Sequence, residues 1–379
     1  MMKILFMIDS LGGGGAENVL LTLLTKMDRK KFSITLFLLA KVGVYLPKVP
    51  KDVTIRYLFR EASPDSNCVN RFFLKLVLYL GNRFLSKFPL FINKLVTFPV
   101  KYDCAISFCE GLNSFLLLKK DLAYSRIAWI HIDIAKHNLS FPKEKLKCVL
   151  VEVERIAVVS NDAKSSLVTV FEELNLGSKT TVIYNPIDVD VIIANSDNLI
   201  PFKKERFTLV AVGRLSKQKR FDRLIMAFDK LCKSGYDCDL LILGIGPEFD
   251  HLTKLVASID YGERITFCGY IQNSYPWIKM ADLLVMSSDF EGLPLVICEA
   301  MVLHKPIVAT NIVGTRELLE DGKYGLLVSP DEVGLYEGMK IMIDEPWRMR
   351  HYVSLLENSN YDFIFSIDTE EIESYILNA

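Results

Sequence analysis

No Cys-x-x-Cys pair occurs among the eight cysteines, and the chain has only five histidines and three tryptophans. That cysteine usage excludes a disulfide scaffold and a thiolate zinc module, and predicts reduced thiols in a cytosolic protein. Charge of one sign is missing too. The net charge is −1, so no overall field draws in nucleic acid, and none is expected as a partner. No uncharged apolar run approaches the length of a membrane span. The start, Met1-Met2-Lys3-Ile4-Leu5-Phe6-Met7-Ile8-Asp9, is too short and too soon acidic for a signal peptide. The expectation is a cytoplasmic protein that does not cross a bilayer.

What remains is ample core material: half of the 379 residues are hydrophobic and 24% are charged. A chain of that length exceeds what one core supports, which predicts two domains. Apolar strand-like runs alternate with helix-length segments throughout, the pattern of doubly wound α/β domains. Lys3–Ile8 and Phe32–Leu39 open the first domain, followed by Asp103–Phe108, Arg126–Ile130 and Ile156–Ser160. The polar stretch 189–206 follows Asn185-Pro186-Ile187-Asp188, and Phe207–Val212 restarts the strand count. The boundary is therefore placed between 184 and 185, giving domains 1–184 and 185–361.

The most informative stretch is Ser287 to Met301. It lies between two buried-strand runs, Asp282–Met286 and Pro306–Thr310. A polar turn leads into a helix whose first turn suits Pro294. Free N–H groups at Gly292, Leu293 and Leu295 would make an anion site there. Glu291 stands at the mouth and Glu299 about two turns in, where a carboxylate can accept both hydroxyls of a ribose. Either acid alone reads as a cap or solvated surface. The pair with Gly-Leu-Pro between them reads as a site.

A second phosphate-like loop, Gly213 to Arg220, follows the strand Phe207–Val212. Arg214 can grip phosphate oxygens bidentately and Lys219 adds a point charge. Thr266–Tyr270 is read as another strand whose end, Gly269 and Tyr270, could line a base pocket. Gly12 to Gly15 is a third glycine loop, but Glu17 stands where the dinucleotide fingerprint needs glycine, so a tight strand-to-helix turn serves equally well. His131 sits at a strand's carboxyl end, where open parallel sheets hold ligands. The two Asp-x-Asp triplets, at 188–190 and 237–239, match chance frequency and no metal is expected.

Residues 66–102 contain no acid. Arg71, Lys75, Arg83, Lys87, Lys94 and Lys101 alternate with aromatic and aliphatic residues, a composition that suits an anionic membrane surface or a helical pair with a solvated basic face.

Taken together these residues resemble glycosyltransferase family 4, the retaining nucleotide-sugar transferases of the GT-B fold. The likeness runs through Gly-Gly-Ala-Glu (14–17), Asn-Pro-Ile-Asp (185–188), Gly-Arg-Leu (213–215), Gln-Lys (218–219), Tyr275 to Asp282, and Glu-Gly-Leu-Pro through Glu299. It implies two Rossmann-like domains facing across a cleft, with a C-terminal helix within 362–379 packing back on the first. By that resemblance Arg214 and Lys219 neutralise the donor diphosphate and Glu299 holds the ribose. Glu291 with Gly292, Leu293, Pro294 and Leu295 holds the sugar. Gly14 and Gly15 approach the donor from the first domain, and His131 contacts the transferring sugar. The family usually has glycine where this chain has Arg220, so the phosphate loop differs there.

The implied activity is metal-independent transfer of a sugar, with no cofactor. The donor is a uridine or guanosine diphosphate sugar and the acceptor a glycan or polyprenyl-linked precursor of cell-envelope or capsular polysaccharide. The site would work at the inner face of the plasma membrane. Fixed cations and a helix start would stabilise the leaving diphosphate. No carboxylate is an obvious nucleophile, so a front-face route and a covalent intermediate both stay open. The alternatives are another GT-B enzyme, either an epimerase or a soluble-acceptor transferase, and a non-catalytic nucleotide-sugar-binding protein.

Overall fold

The computed structural model describes residues 1–60, 79–136, 139, 141–359 and 369–378. The chain forms two compact units. One is Met1–Pro186 joined by the C-terminal helix Thr369–Leu377; the other begins at Ile187.

The first unit is built on a seven-stranded sheet: β1 (Met2–Ile8), β2 (Phe32–Lys41), β3 (Thr54–Arg60), β4 (Tyr102–Ser107), β5 (Ala123–Ile130), β6 (Arg155–Val158) and β7 (Thr180–Val182). Every pairing is parallel, in the order β3-β2-β1-β4-β5-β6-β7. Ile4 of β1 lies between Ile34 of β2 and Cys104 of β4. The run Ile4 to Ile8 is wholly buried, as a strand covered on both faces must be. The edge strand β3 has no fully buried residue. Its weak apolar signal is why the sequence does not announce it. Of Ser160 and Asn161, which both suit a cap after β6, it is Ser160 that caps the helix Asn161–Val170 by accepting the Ala163 N–H.

The C-terminal helix is tied to this unit by polar contacts. The buried Glu373 accepts the Asp28 N–H at 2.7 Å and pairs with Lys31 at 2.8 Å. Arg155 lies over the Tyr375 ring and donates to its carbonyl.

The second unit carries a six-stranded parallel sheet: β8 (Phe207–Val212), β9 (Cys238–Leu243), β10 (Ile265–Gly269), β11 (Leu283–Met286), β12 (Ile307–Thr310) and β13 (Leu326–Val328). Its order is β10-β9-β8-β11-β12-β13. Helix Phe221–Lys233 packs its apolar face, including Leu224, Phe228 and Leu231, into the core below β8 and β9. Both units are thus Rossmann-like α/β domains. In each, strand order reverses at one place, between β1 and β4 in the first and between β8 and β11 in the second. Ligands of open α/β sheets bind outside the carboxyl ends of the strands at such reversals.

Candidate active site

The reversal in the second unit brings together the two loops singled out in the sequence. The loop after β8 carries Gly213 to Arg220, and the loop after β11 carries Ser287 to Pro294. They are laced by backbone and side-chain bonds. Asp289 N–H donates to the Gln218 carbonyl at 2.9 Å, Gln218 Nε2 to the Phe290 carbonyl at 2.7 Å, and Ser287 Oγ to the Lys219 carbonyl at 2.7 Å. Lys219 Nζ sits 2.6 Å from Glu291 Oε1, which also accepts from the buried Ser288 hydroxyl at 2.8 Å. Both partners of that ion pair are less than a fifth exposed. Water screens it weakly, so an anionic ligand arriving here would meet a positioned cation rather than a mobile one.

Arg214 is exposed, and no hydrogen bond or ion pair engages its guanidinium among the described residues, though its carbonyl accepts the Ser216 N–H at 2.8 Å. It is the cation of this loop with its guanidinium open to an incoming anion. Arg220 resolves the departure noted above. Its backbone is left-handed (φ 50°, ψ 42°), the conformation a glycine takes freely. Its side chain turns to Asp222 and Asp289 at 3.1 Å each, so the added charge is neutralised locally. Arg223 completes the pair with Asp289 at 2.7 Å.

The helix after the second loop spans Leu295–Val302 with Pro294 as its N-cap, one residue later than Pro294 in the first turn would give. Glu299 is therefore about one turn in, not two. No hydrogen bond takes up the N–H of Gly292, Leu293 or Leu295 among the described residues. Gly292, Leu293 and Pro294 are buried. Gly314 allows the following turn to close on this loop, since a Cβ there would stand 2.6 Å from the Gly292 carbonyl. Glu299 is half-buried, and desolvation pushes its carboxyl up to about 8. Burial and the nearby Glu299 charge raise the Tyr275 phenol as well. Gly269, in a left-handed turn, and the exposed Tyr270 end β10, with no bond linking them to Lys219 or Glu291 among the described residues.

The first unit places His131 immediately after β5. Its ring packs against Phe108 at 4.8 Å and stacks on Trp129 at 6.2 Å. Nε2 is buried without a partner, and desolvation holds the imidazole down at about 3, so it is neutral at physiological pH. Gly14 caps the helix Gly15–Lys26, but the Glu17 carboxylate accepts the N–H groups of both Gly13 and Gly14. That explains a glutamate where the fingerprint has glycine: the side chain itself satisfies the helix start.

Several residues of the quoted motifs were given no individual role from the sequence. Gln218, Ser288 and Asp289 act by lacing two loops far apart in the chain. Asp9 and Glu110 stand just beyond β1 and β4, and the strand-end rule that marked His131 would have marked them. Among the described residues no three His, Cys, Asp or Glu side chains gather as a metal site. The Asp-x-Asp triplets have other partners: Asp188 caps a helix through the Val191 N–H, and Asp237 and Asp239 pair with Arg206 and Arg264.

Loops of this make-up at a sheet reversal suit the binding of an anion. Residues 193–354 match the family Glycosyl transferases group 1. The chain is a glycosyltransferase on the GT-B fold. Over nearly its whole length it is similar to an enzyme of Campylobacter jejuni named N-acetylgalactosamine-N,N'-diacetylbacillosaminyl-diphospho-undecaprenol 4-alpha-N-acetylgalactosaminyltransferase, 28% identical over 356 residues, 91% of each chain. It is also similar to the amylovoran biosynthesis glycosyltransferase AmsD of Erwinia amylovora, 24% identical over 95% of each. Its fold matches Anabaena HepE, solved in complex with UDP-glucose, with a TM-score of 0.74 at 18% identity over 100% of this chain and 99% of that one.

Proposed function

We propose that this chain is a retaining, metal-independent transferase of glycosyltransferase family 4. It moves a sugar from a uridine diphosphate donor to a lipid-linked glycan in cell-envelope or capsular polysaccharide synthesis. The observation that carries the reading is the Lys219–Glu291 pair beside the unengaged Arg214 at the β8/β11 reversal. In this reading Lys219, fixed by Glu291, the guanidinium of Arg214 and the unsatisfied N–H groups of the second loop meet the charge that a leaving diphosphate gathers. Arg214 and Lys219 hold the diphosphate, Glu299 the ribose, and Glu291 with residues 292–295 the sugar. His131, Gly14 and Gly15 serve the transferring sugar from the first unit. Uridine is favoured over guanosine because HepE is solved with UDP-glucose. A polyprenyl-linked acceptor is favoured by the name of the Campylobacter relative.

We also infer contact with the anionic inner face of the plasma membrane. Of the acid-free segment, residues 66–78, including Arg71 and Lys75, lie outside the described residues. The remainder exposes Tyr79, Leu80, Phe84, Phe88 and Leu90 beside Arg83, Lys87 and Lys94. Phe84 packs on Phe88 and Phe91 at 5.3 and 5.2 Å. Exposed rings interleaved with cations suit the headgroup region of an anionic bilayer. No helix among the described residues is long and apolar enough to cross a membrane.

A panel of UDP- and GDP-sugars tests the donor assignment by melting-temperature shift and by donor hydrolysis. The expected result is hydrolysis of a UDP-sugar that vanishes in Lys219→Ala and Glu291→Ala. Hydrolysis that survives both changes refutes the site. Sedimentation with anionic but not zwitterionic vesicles is expected; failure to bind anionic vesicles favours a soluble acceptor.

A further inference from the structure

At the amino end of β9, away from the loops that follow β8 and β11, two thiols of the second unit stand in contact. Helix Phe221–Lys233 ends one residue after Cys232, and β9 begins at Cys238. The turn between them is tight. The Gly235 N–H donates to the Cys232 carbonyl at 2.9 Å, and Gly235 is left-handed (φ 96°), a conformation that suits glycine. This turn folds the helix end back over the first residue of the strand and leaves the two Sγ atoms 3.9 Å apart. Among the described residues no other two cysteine sulfurs are bonded to one another. Both side chains are buried, yet both line a cavity of about 200 Å³ together with Tyr236, Asp237, Tyr261 and Arg264. Asp237 is 69% exposed, so the cavity reaches solvent on that side, and a molecule the size of water or peroxide fits within it.

We propose that Cys232 and Cys238 form an oxidisable dithiol, which a peroxide entering this cavity closes to a disulfide. The Cys232 thiolate attacks one oxygen of hydrogen peroxide. The O–O bond breaks, and the departing hydroxide takes the proton that Cys232 released, giving water. The Cys238 sulfur then attacks the sulfenic acid left on Cys232. The S–S bond forms, the S–O bond breaks, and the hydroxyl leaves as a second water with the Cys238 proton. Two thiols and one peroxide thus become one disulfide and two waters. The site does not rest on the transferase reading.

Geometry and charge divide the two roles. The sulfurs have to close from 3.9 Å to about 2 Å, and the cavity gives both side chains room to turn. The Cys238 S–H donates to a thiolate on Cys232 and holds that thiol below its ordinary range. The Arg264 guanidinium adds to this, against burial and the charges of Asp229 and Asp239. The same contact, with burial, pushes Cys238 up. Cys232 is therefore the thiol that ionises and reacts first, and Cys238 the one that resolves. Burial pushes the thiols of Cys104, Cys109 and Cys298 up, and none of them has a second sulfur within reach. Only residues 233–237 separate the pair. Closing so short a connection adds little stability, so the bond stays open to reduction by small thiols.

Peptide mapping tests this on the whole reduced chain. The protein is titrated with hydrogen peroxide at neutral pH until the exposed Cys148 is oxidised; remaining thiols are alkylated and the chain is digested with trypsin. Cleavage after Lys233 parts the two cysteines, so their bond joins residues 231–233 to residues 234–254. Expected is that joined pair, lighter by two hydrogens than its separate peptides and abolished by dithiothreitol. In Cys238→Ser the joined pair is lost and a dimedone adduct of the sulfenic acid collects on Cys232. In Cys232→Ser, or Cys232→Ala where the core rejects a hydroxyl, Cys238 takes up no adduct. Absence of the joined pair from the wild-type chain at the peroxide level that oxidises Cys148 overturns the proposal. So does a joined pair that forms only after the chain is unfolded in urea. A dimedone adduct on Cys238 in folded Cys232→Ser overturns the order of the two thiols.

Discussion

Glu299 offers a prediction whose size follows from its surroundings. Its carboxyl is desolvated at the start of the helix Leu295–Val302 and sits at about 8. At pH 7 roughly nine in ten molecules without donor therefore carry a proton there. Two ribose hydroxyls can both donate only to the ionised form. A UDP-sugar carries only diester phosphates, so the ligand itself does not titrate near neutrality. Donor binding at pH 7 should thus release about 0.9 proton, and affinity should rise about fivefold between pH 7 and 8, equivalent to about 1 kcal/mol, and about twofold more before levelling off above about pH 9. Calorimetric titration in two buffers of different ionisation enthalpy reads the proton count directly. A buffer-independent enthalpy at pH 7, or an unchanged proton count in Glu299→Gln, refutes the assignment. The same raised value fixes the sign for stability. Above the ordinary carboxylate range the folded chain holds a proton that the unfolded chain gives up, so stability falls as pH climbs towards about 8. Glu299→Gln should melt higher than the wild type at pH 8.5, and the gap should close towards pH 5.

Further outcomes follow from the two units. Lys219→Ala and Glu291→Ala each leave a poorly screened charge without its partner, so the double variant should be no less stable in urea than the weaker single one. Arg220→Gly should change stability by no more than about 1 kcal/mol, because glycine accepts the left-handed backbone and the ion pairs lost are partly exposed. Arg220→Val should cost about 1–2 kcal/mol more, since a β-branched side chain is strained there; equal stability of the two would refute the backbone argument. Glu373→Ala removes the buried acceptor that ties the last helix to Asp28 and Lys31, and should cost about 1–3 kcal/mol in a urea titration.

Much of this fold is legible in the chain because parallel strands covered on both faces must be continuous apolar runs. Lys3–Ile8, Phe207–Val212 and Leu283–Met286 carry that mark without ambiguity. β3 does not, because an edge strand keeps too few buried residues to leave one. A cap by Ser160 or Asn161 is local chemistry and was readable. The start of the helix at Leu295 was not, since Pro294 suits both the cap and the first turn, and the choice shifts Glu299 by one helical position.

The sequence by itself determined the alternation of strands and helices, the two glycine-bearing loops with their cations, and the acid at each end of the Glu291–Glu299 stretch. These are set by residue type and spacing along one segment. Only tertiary structure decided that Lys219 meets Glu291 across 72 residues of chain, that Arg220 turns away to Asp289, and that Asp9 holds the loop presenting Glu110 beside His131. The reason is strand order. A sheet that reverses direction at one point sets the ends of distant strands side by side, and no local pattern records which ends those will be.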